Sequence, residues 1–157
     1  MLKVADYDIV FAEVPDEVSL AINLSRCPNH CEGCHSPQLW RDIGEPLTHS
    51  RLDVLIGRYR SGITCVCFMG GDGDTEALAD LADHIRSQFQ DLKLAWYSGR
   101  PALPTNIQAG QWDYIKLGPY IPKYGPLNRK TTNQRFYRVR DTGRLVDMTA
   151  RFLKENF

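Results

Sequence analysis

Residues 26–40 read RCPNHCEGCHSPQLW, and they place three of the chain's five cysteines within eight positions as Cys27-x3-Cys31-x2-Cys34. Thiolates gathered this tightly select soft metals, chiefly zinc and iron–sulfur clusters. A structural zinc site closes with four protein ligands. His30 or His35 is available as the fourth, but ligands so close along the chain wrap a tetrahedron poorly. A ferredoxin-type cluster takes four cysteines at a different spacing. The other two, Cys65 and Cys67, fall at i and i+2 in the apolar run ITCVCFM (63–69). That spacing puts both on one face of a strand, in a core, where free cysteine behaves as a small hydrophobe. Positions i and i+2 on one strand face also sit near the geometric limit for a disulfide. Three thiolates on a four-iron cluster leave one iron without a protein ligand, and an open position is what a catalytic metal site needs.

The flanking segments place this loop in a fold. VSLAINLS (18–25) reads as a strand running straight into the cysteines, and THSRLDVLIGRYR (48–60) as a capped helix with Leu52, Leu55, Ile56 and Tyr59 on one face. ITCVCFM is a strand closed by GGDGD, and TEALADLADHIRSQFQ (75–90) is an amphipathic helix. LKLAWYSG (92–99), WDYIKLG (112–118) and QRFYRVR (134–140) read as further strands, and DMTARFLKENF as a closing helix. Strands alternating with helices predict βαβ units and a mostly parallel sheet. Ligands bind beyond the carboxyl ends of such strands. The cysteine loop, GGDGD, SGR and GPY each follow a strand directly, so all four are expected at one end of the sheet.

The chain has 157 residues and a mass of 17.9 kDa, which predicts one domain over 1–157. Its formal net charge is zero, so bulk electrostatics call for neither nucleic acid nor membrane as partner. No signal-peptide pattern or run of transmembrane length is present, and the odd cysteine count argues against a disulfide framework; the expected location is cytoplasmic. The charge is nevertheless uneven. Residues 1–25 hold five acids against Lys3, and residues 123–157 hold nine bases against three acids. Such runs are usually solvated faces; the basic one is also a surface that would suit an acidic partner.

With a glycine-rich loop following the next strand, C-x3-C-x2-C resembles the radical S-adenosylmethionine (SAM) superfamily. The resemblance implies a [4Fe-4S] cluster on Cys27, Cys31 and Cys34, whose open iron chelates SAM and whose electron cleaves it to a 5′-deoxyadenosyl radical. It implies a compact, incomplete (βα) barrel of about five mostly parallel strands with flanking helices. Gly70, Gly71 and Asp72 resemble the superfamily's Gly-Gly-Glu motif, which holds the amino group of SAM, although Asp72 is one methylene shorter. Ser98 and Asn23 are further candidates for the SAM cavity, and no side chain is assigned catalysis beyond the cluster and SAM.

Within the superfamily, Gly33, Ser36 and Trp40, the segment LAWYSG (94–99) and the close NRKTTNQR (128–135) resemble the activating proteins of anaerobic ribonucleotide reductase. The partners implied are the large glycyl-radical subunit, oxidised at a backbone glycine, and a flavodoxin-like electron donor. This sequence departs from many relatives in having Arg26 where they have glycine. The alternatives are a small-molecule enzyme of the 7-carboxy-7-deazaguanine synthase type, for which no base-recognition site is evident, and a non-catalytic zinc or iron–sulfur interaction module.

Overall fold

The structure, a computed structural model, describes residues 1–34 and 36–153. Its strands are β1 (Lys3–Val10), β2 (Ser19–Leu24), β3 (Glu45–Pro46), β4 (Cys65–Met69), β5 (Lys93–Tyr97), β6 (Tyr114–Leu117), β7 (Arg135–Arg140) and β8 (Arg144–Asp147). Two α-helices accompany them, α1 (His49–Tyr59) and α2 (Thr75–Gln88). The strands form one sheet in the order β3-β1-β2-β4-β5-β6-β7-β8. β2, β4, β5 and β6 run parallel, while β3, β1, β7 and β8 are added antiparallel, two at each edge.

This corrects the expected architecture. The chain does not form an incomplete (βα) barrel of about five mostly parallel strands with flanking helices; it forms a mixed sheet of eight strands with two short helices. The reason lies in the connections. Residues 98–113, between β5 and β6, contain Pro101 and Pro104 and yield turns with a single 3-10 turn at Ala109–Gln111, where a barrel would place a helix. After β6 the chain returns through residues 118–134 into antiparallel β7 and turns at 141–143 into β8, with no helix in either connection. The turn at 141–143 uses positive φ at Asp141 (56°) and Gly143 (133°). The closing helix expected over 147–157 is likewise not formed in its described part: Asp147 ends β8 and Thr149–Phe152 is a 3-10 turn, with 154–157 outside the described residues.

The two helices form where the sequence supplies caps and a stripe. The Thr48 hydroxyl accepts from the Arg51 amide at 3.1 Å, and the Asp74 carboxylate accepts from Ala77 at 3.1 Å. Leu52, Leu55 and Ile56 of α1 and Leu78, Leu81, Ala82 and Ile85 of α2 then bury against one face of the sheet. That face presents Leu20, Ile22, Val66, Phe68, Leu94, Trp96 and Ile115, all fully buried. Burying each large apolar side chain contributes about 1.5–3 kcal/mol. The helices are also tied side by side, His49 Nε2 to Asp80 at 2.7 Å and His84 Nε2 to Asp53 at 2.6 Å, with the imidazoles stacked at 4.1 Å.

The pleat sends the intervening residues to the other face. Cys65, Cys67, Ala95, Tyr114 and Phe136 pack there with Val14 as a second, smaller core. No helix covers it. This face opens at the carboxyl end of the parallel strands.

Candidate functional site

The last residues that the parallel strands send to the open face stand side by side. Asn23 of β2 is in register with Met69 of β4, Met69 with Tyr97 of β5, and Tyr97 with Lys116 of β6. This row helps line a cavity of about 510 Å³. Cys27, Cys31, Cys34, Gly70, Asp72 and Ser98 line the same cavity. Of the sequence-derived candidates for the cluster and SAM, Gly71 alone stands behind the wall, where a Cβ would press on Leu24 and Leu78 at 3.3 Å.

The cysteine loop is closed at its base by two backbone bonds, Arg26 N–H to the Arg41 carbonyl (3.0 Å) and Cys27 N–H to the Leu39 carbonyl (2.9 Å). Arg26 has φ 61°, a left-handed conformation that glycine would adopt without steric cost. His30, the described candidate for a fourth zinc ligand, stacks on Trp40 at 4.7 Å with planes 10° apart. His35 lies outside the described residues. At Gly33 (φ 71°) a Cβ would come within 3.1 Å of the Tyr120 ring and 3.2 Å of Pro122. An aromatic ring from GPYIP (118–122) thus sits against the last cysteine turn.

The three cysteines on this loop are partly buried free thiols. Cys34 Sγ accepts from the Ser36 amide at 3.4 Å, and Cys27 Sγ from Asn29 Nδ2 at 3.7 Å. Hydrogen bonds to sulfur of this kind orient and tune thiolate ligands. Among the described residues, no three His, Cys, Asp or Glu side chains converge on one position that could hold a metal ion. A cluster makes a different demand from zinc: each thiolate takes its own iron, so the sulfurs surround a space. Three thiols around one cavity fit that demand.

Asp72 is 6% exposed, and its carboxylate is heavily engaged. Oδ1 accepts from Ser98 Oγ at 2.6 Å; Oδ2 accepts from Asn29 Nδ2 at 2.6 Å and the Gly99 amide at 2.8 Å. Three of its roughly four lone-pair positions are filled from within the chain. Gly70 and Gly71 both have positive φ (106° and 101°), which the turn out of β4 requires. The Gly70 carbonyl accepts from the Trp96 indole at 2.7 Å, anchoring this loop to the helix-side core. Asn23 Nδ2 donates to Asp6 of β1.

Two residues of the site escape the sequence reading, Lys116 and Asn29. Lys116 is 8% exposed, and its ammonium donates to the carbonyls of Ser98 (3.0 Å) and Gly118 (2.9 Å). Burial brings its pKa down to about 8, opposed by Asp72 and then by the thiols of Cys31, Cys27 and Cys34. A lysine inside the otherwise apolar strand YIKL is the signal that marks it. Asn29, between two cysteines, looks like any turn residue. Cys65 and Cys67 lie outside this cavity lining; burial pushes Cys65 up to about 12, and Cys67 is raised well above the ordinary thiol value by the same cause.

Residues 18–115, more than half of the chain, match the family described as the 4Fe-4S single cluster domain. The chain belongs to that family. The match runs from the start of β2 into β6, the parallel centre of the sheet with its helices and cysteine loop. No curated protein and no solved structure matches. Among the described residues, no helix is long and apolar enough to cross a membrane.

Proposed function

We propose that this chain is a radical SAM activase that places a glycyl radical on the large subunit of anaerobic ribonucleotide reductase. One observation carries the reading: three thiols, a buried carboxylate and a buried ammonium share a single cavity at the carboxyl ends of four parallel strands. When bound there, a [4Fe-4S] cluster with one iron free of protein ligands supplies the electron that cleaves SAM reductively. Cys27, Cys31 and Cys34 would hold it.

The other groups suit a ligand that is both ammonium and carboxylate. Asp72 keeps one lone-pair position, and Lys116 keeps one of its three donors after bonding the Ser98 and Gly118 carbonyls. Opposite charges side by side in a low-dielectric wall orient a zwitterion and resist its reversal. Met69, Tyr97, Leu127 and Phe152 give the cavity an apolar side that excludes water from the reacting atoms. The segment 119–135, with Lys123, Arg129 and Lys130, flanks this end and is the proposed dock for the large subunit, with a flavodoxin-like protein as electron donor.

The test is anaerobic reconstitution followed by reduction with SAM, with and without the large subunit. Brown protein that cleaves SAM slowly alone, and yields a doublet radical signal on the large subunit, supports the reading. A colourless zinc protein overturns it in favour of an interaction module. A large subunit that gains no radical, while a small molecule is turned over, overturns it in favour of the small-molecule enzyme.

A further inference from the structure

We propose that Asn29 is a positioning residue that latches the cysteine loop to the strand ends, bridging Cys27 and Asp72 and thereby setting the reduction potential of the cluster. An asparagine amide has two N–H donors. Here the same nitrogen reaches the Cys27 sulfur at 3.7 Å and Asp72 Oδ2 at 2.6 Å. The bridge spans 43 residues of sequence between Asn29 and Asp72. Asp72 is fixed in turn by Ser98 Oγ and the Gly99 amide, so one line of bonds joins the loop to the ends of β4 and β5.

The backbone is shaped around this bridge. A Cβ on Gly99 would lie 2.6 Å from Asn29 Nδ2, closer than atoms tolerate, and a tight 3.1 Å from its Cγ. A Cβ on Gly73 would lie 3.0 Å from the Arg26 carbonyl, so the glycine loop also packs directly against the base of the cysteine loop. The space beside Gly99 is therefore the seat of the Asn29 amide.

Two electrostatic effects of the bridge have the same sign. A donor on a ligating sulfur stabilises the more negative, reduced cluster, and donors on Asp72 disperse a nearby negative charge that would oppose reduction. Removing Asn29 undoes both, so the potential falls.

The inference rests on Cys27 as a cluster ligand and on nothing about SAM. Its test is potentiometry of the reconstituted protein without SAM, monitored by electron paramagnetic resonance. Asn29→Ala removes the donors; Gly99→Ala keeps them and closes their seat. Both variants are expected to hold iron and to be harder to reduce, with the reduction equilibrium shifted about tenfold, or about 59 mV for one electron. A side chain that only supports the loop would leave the potential unchanged. An unmoved potential in either loaded variant overturns the latch, and should Asn29→Ala fail to take up iron, Gly99→Ala decides alone. Full iron content in Cys27→Ala would instead overturn the ligand assignment beneath it, which keeps the two failures distinct.

Discussion

The chain keeps its cysteines in two regions that treat sulfur in opposite ways. On the loop, Cys27, Cys31 and Cys34 are partly exposed, line a cavity, and two of them accept N–H bonds. On β4, Cys65 and Cys67 are fully buried, and burial holds both thiols protonated. A thiolate is the metal-binding form, so the environment, more than the residue type, divides ligand from filler. The difference teaches that sulfur on the strand interior is used for its shape, and sulfur on the turn is left accessible to the cavity.

The sharpest way to break this division is to remove each sulfur in turn. Cys27→Ala, Cys31→Ala and Cys34→Ala are each expected to abolish the cluster, while Cys65→Ala and Cys67→Ala retain full iron and sulfide. Loss of iron from a folded Cys65 or Cys67 variant would erase the distinction. Next in size is the packing around β4. Phe68 is fully buried on the helix side, and Phe68→Ala is expected to cost about 3–5 kcal/mol in denaturant unfolding. Iron binding per folded molecule should not change.

A third effect returns to the cavity. Asp72→Ala is expected to weaken SAM binding by roughly 1.5–3 kcal/mol, read by calorimetry on the loaded protein, with iron content preserved. Normal binding would leave Asp72 as a purely internal acceptor.

The buried thiols also give the metal-free protein a signature in alkali. Unfolded cysteine releases its proton from its ordinary value of 9.0, whereas Cys65 holds its own to about 12 and Cys67 is also raised. Their contribution to stability is therefore complete below pH 9 and is lost as pH rises above it, at about 1.4 kcal/mol per pH unit for each group. Lys116 acts in the other direction: its pKa falls from 10.5 to about 8, so deprotonation relieves its burial between those values and stability rises with pH there. Unfolding titrations should show a small gain between pH 8 and 9 that Lys116→Met abolishes. The loss between pH 9 and 10 should flatten when Cys65 and Cys67 are both alanine, whereas above pH 10 the raised Tyr97 and Tyr114 hydroxyls still cost stability. The smallest expected effect is at the base of the loop. Arg26→Gly should stabilise by up to about 1 kcal/mol, because glycine takes the left-handed conformation without penalty but loses more freedom on folding.

How much of this was legible in the sequence depends on whether a feature is local. β2, β4, β5, β6 and β7, with both helices, are written as short apolar runs and amphipathic stripes, and the loops after the parallel strands do meet at one end. β1 is half exposed and carries Asp6 and Asp8, so it lacks the apolar signature of the centre. β3 is two residues long, and β8 is four residues that overlap the expected closing helix only at Asp147. Pairing direction was the larger loss. Periodicity says which residues share a face but not which way a neighbouring strand runs, so the antiparallel additions turned an expected barrel into a mixed sheet. In the site, the cysteines and glycines announce themselves by spacing. Asn29 does not, because its meaning comes from a carboxylate 43 residues away.

Those added strands also decide where the sheet stops. An open edge with unpaired amides and carbonyls is a template for another strand, and long flat edges invite aggregation. Here one edge is β3, two exposed residues of which one is Pro46, which has no N–H to offer. The other is β8, four residues bounded by exposed Arg144 and Asp147. Both borders are too short, too charged or too poor in donors to recruit a stray chain. The eight-stranded sheet is thereby guarded against self-association along its sides, and the thiols gather at the strand ends, away from both borders.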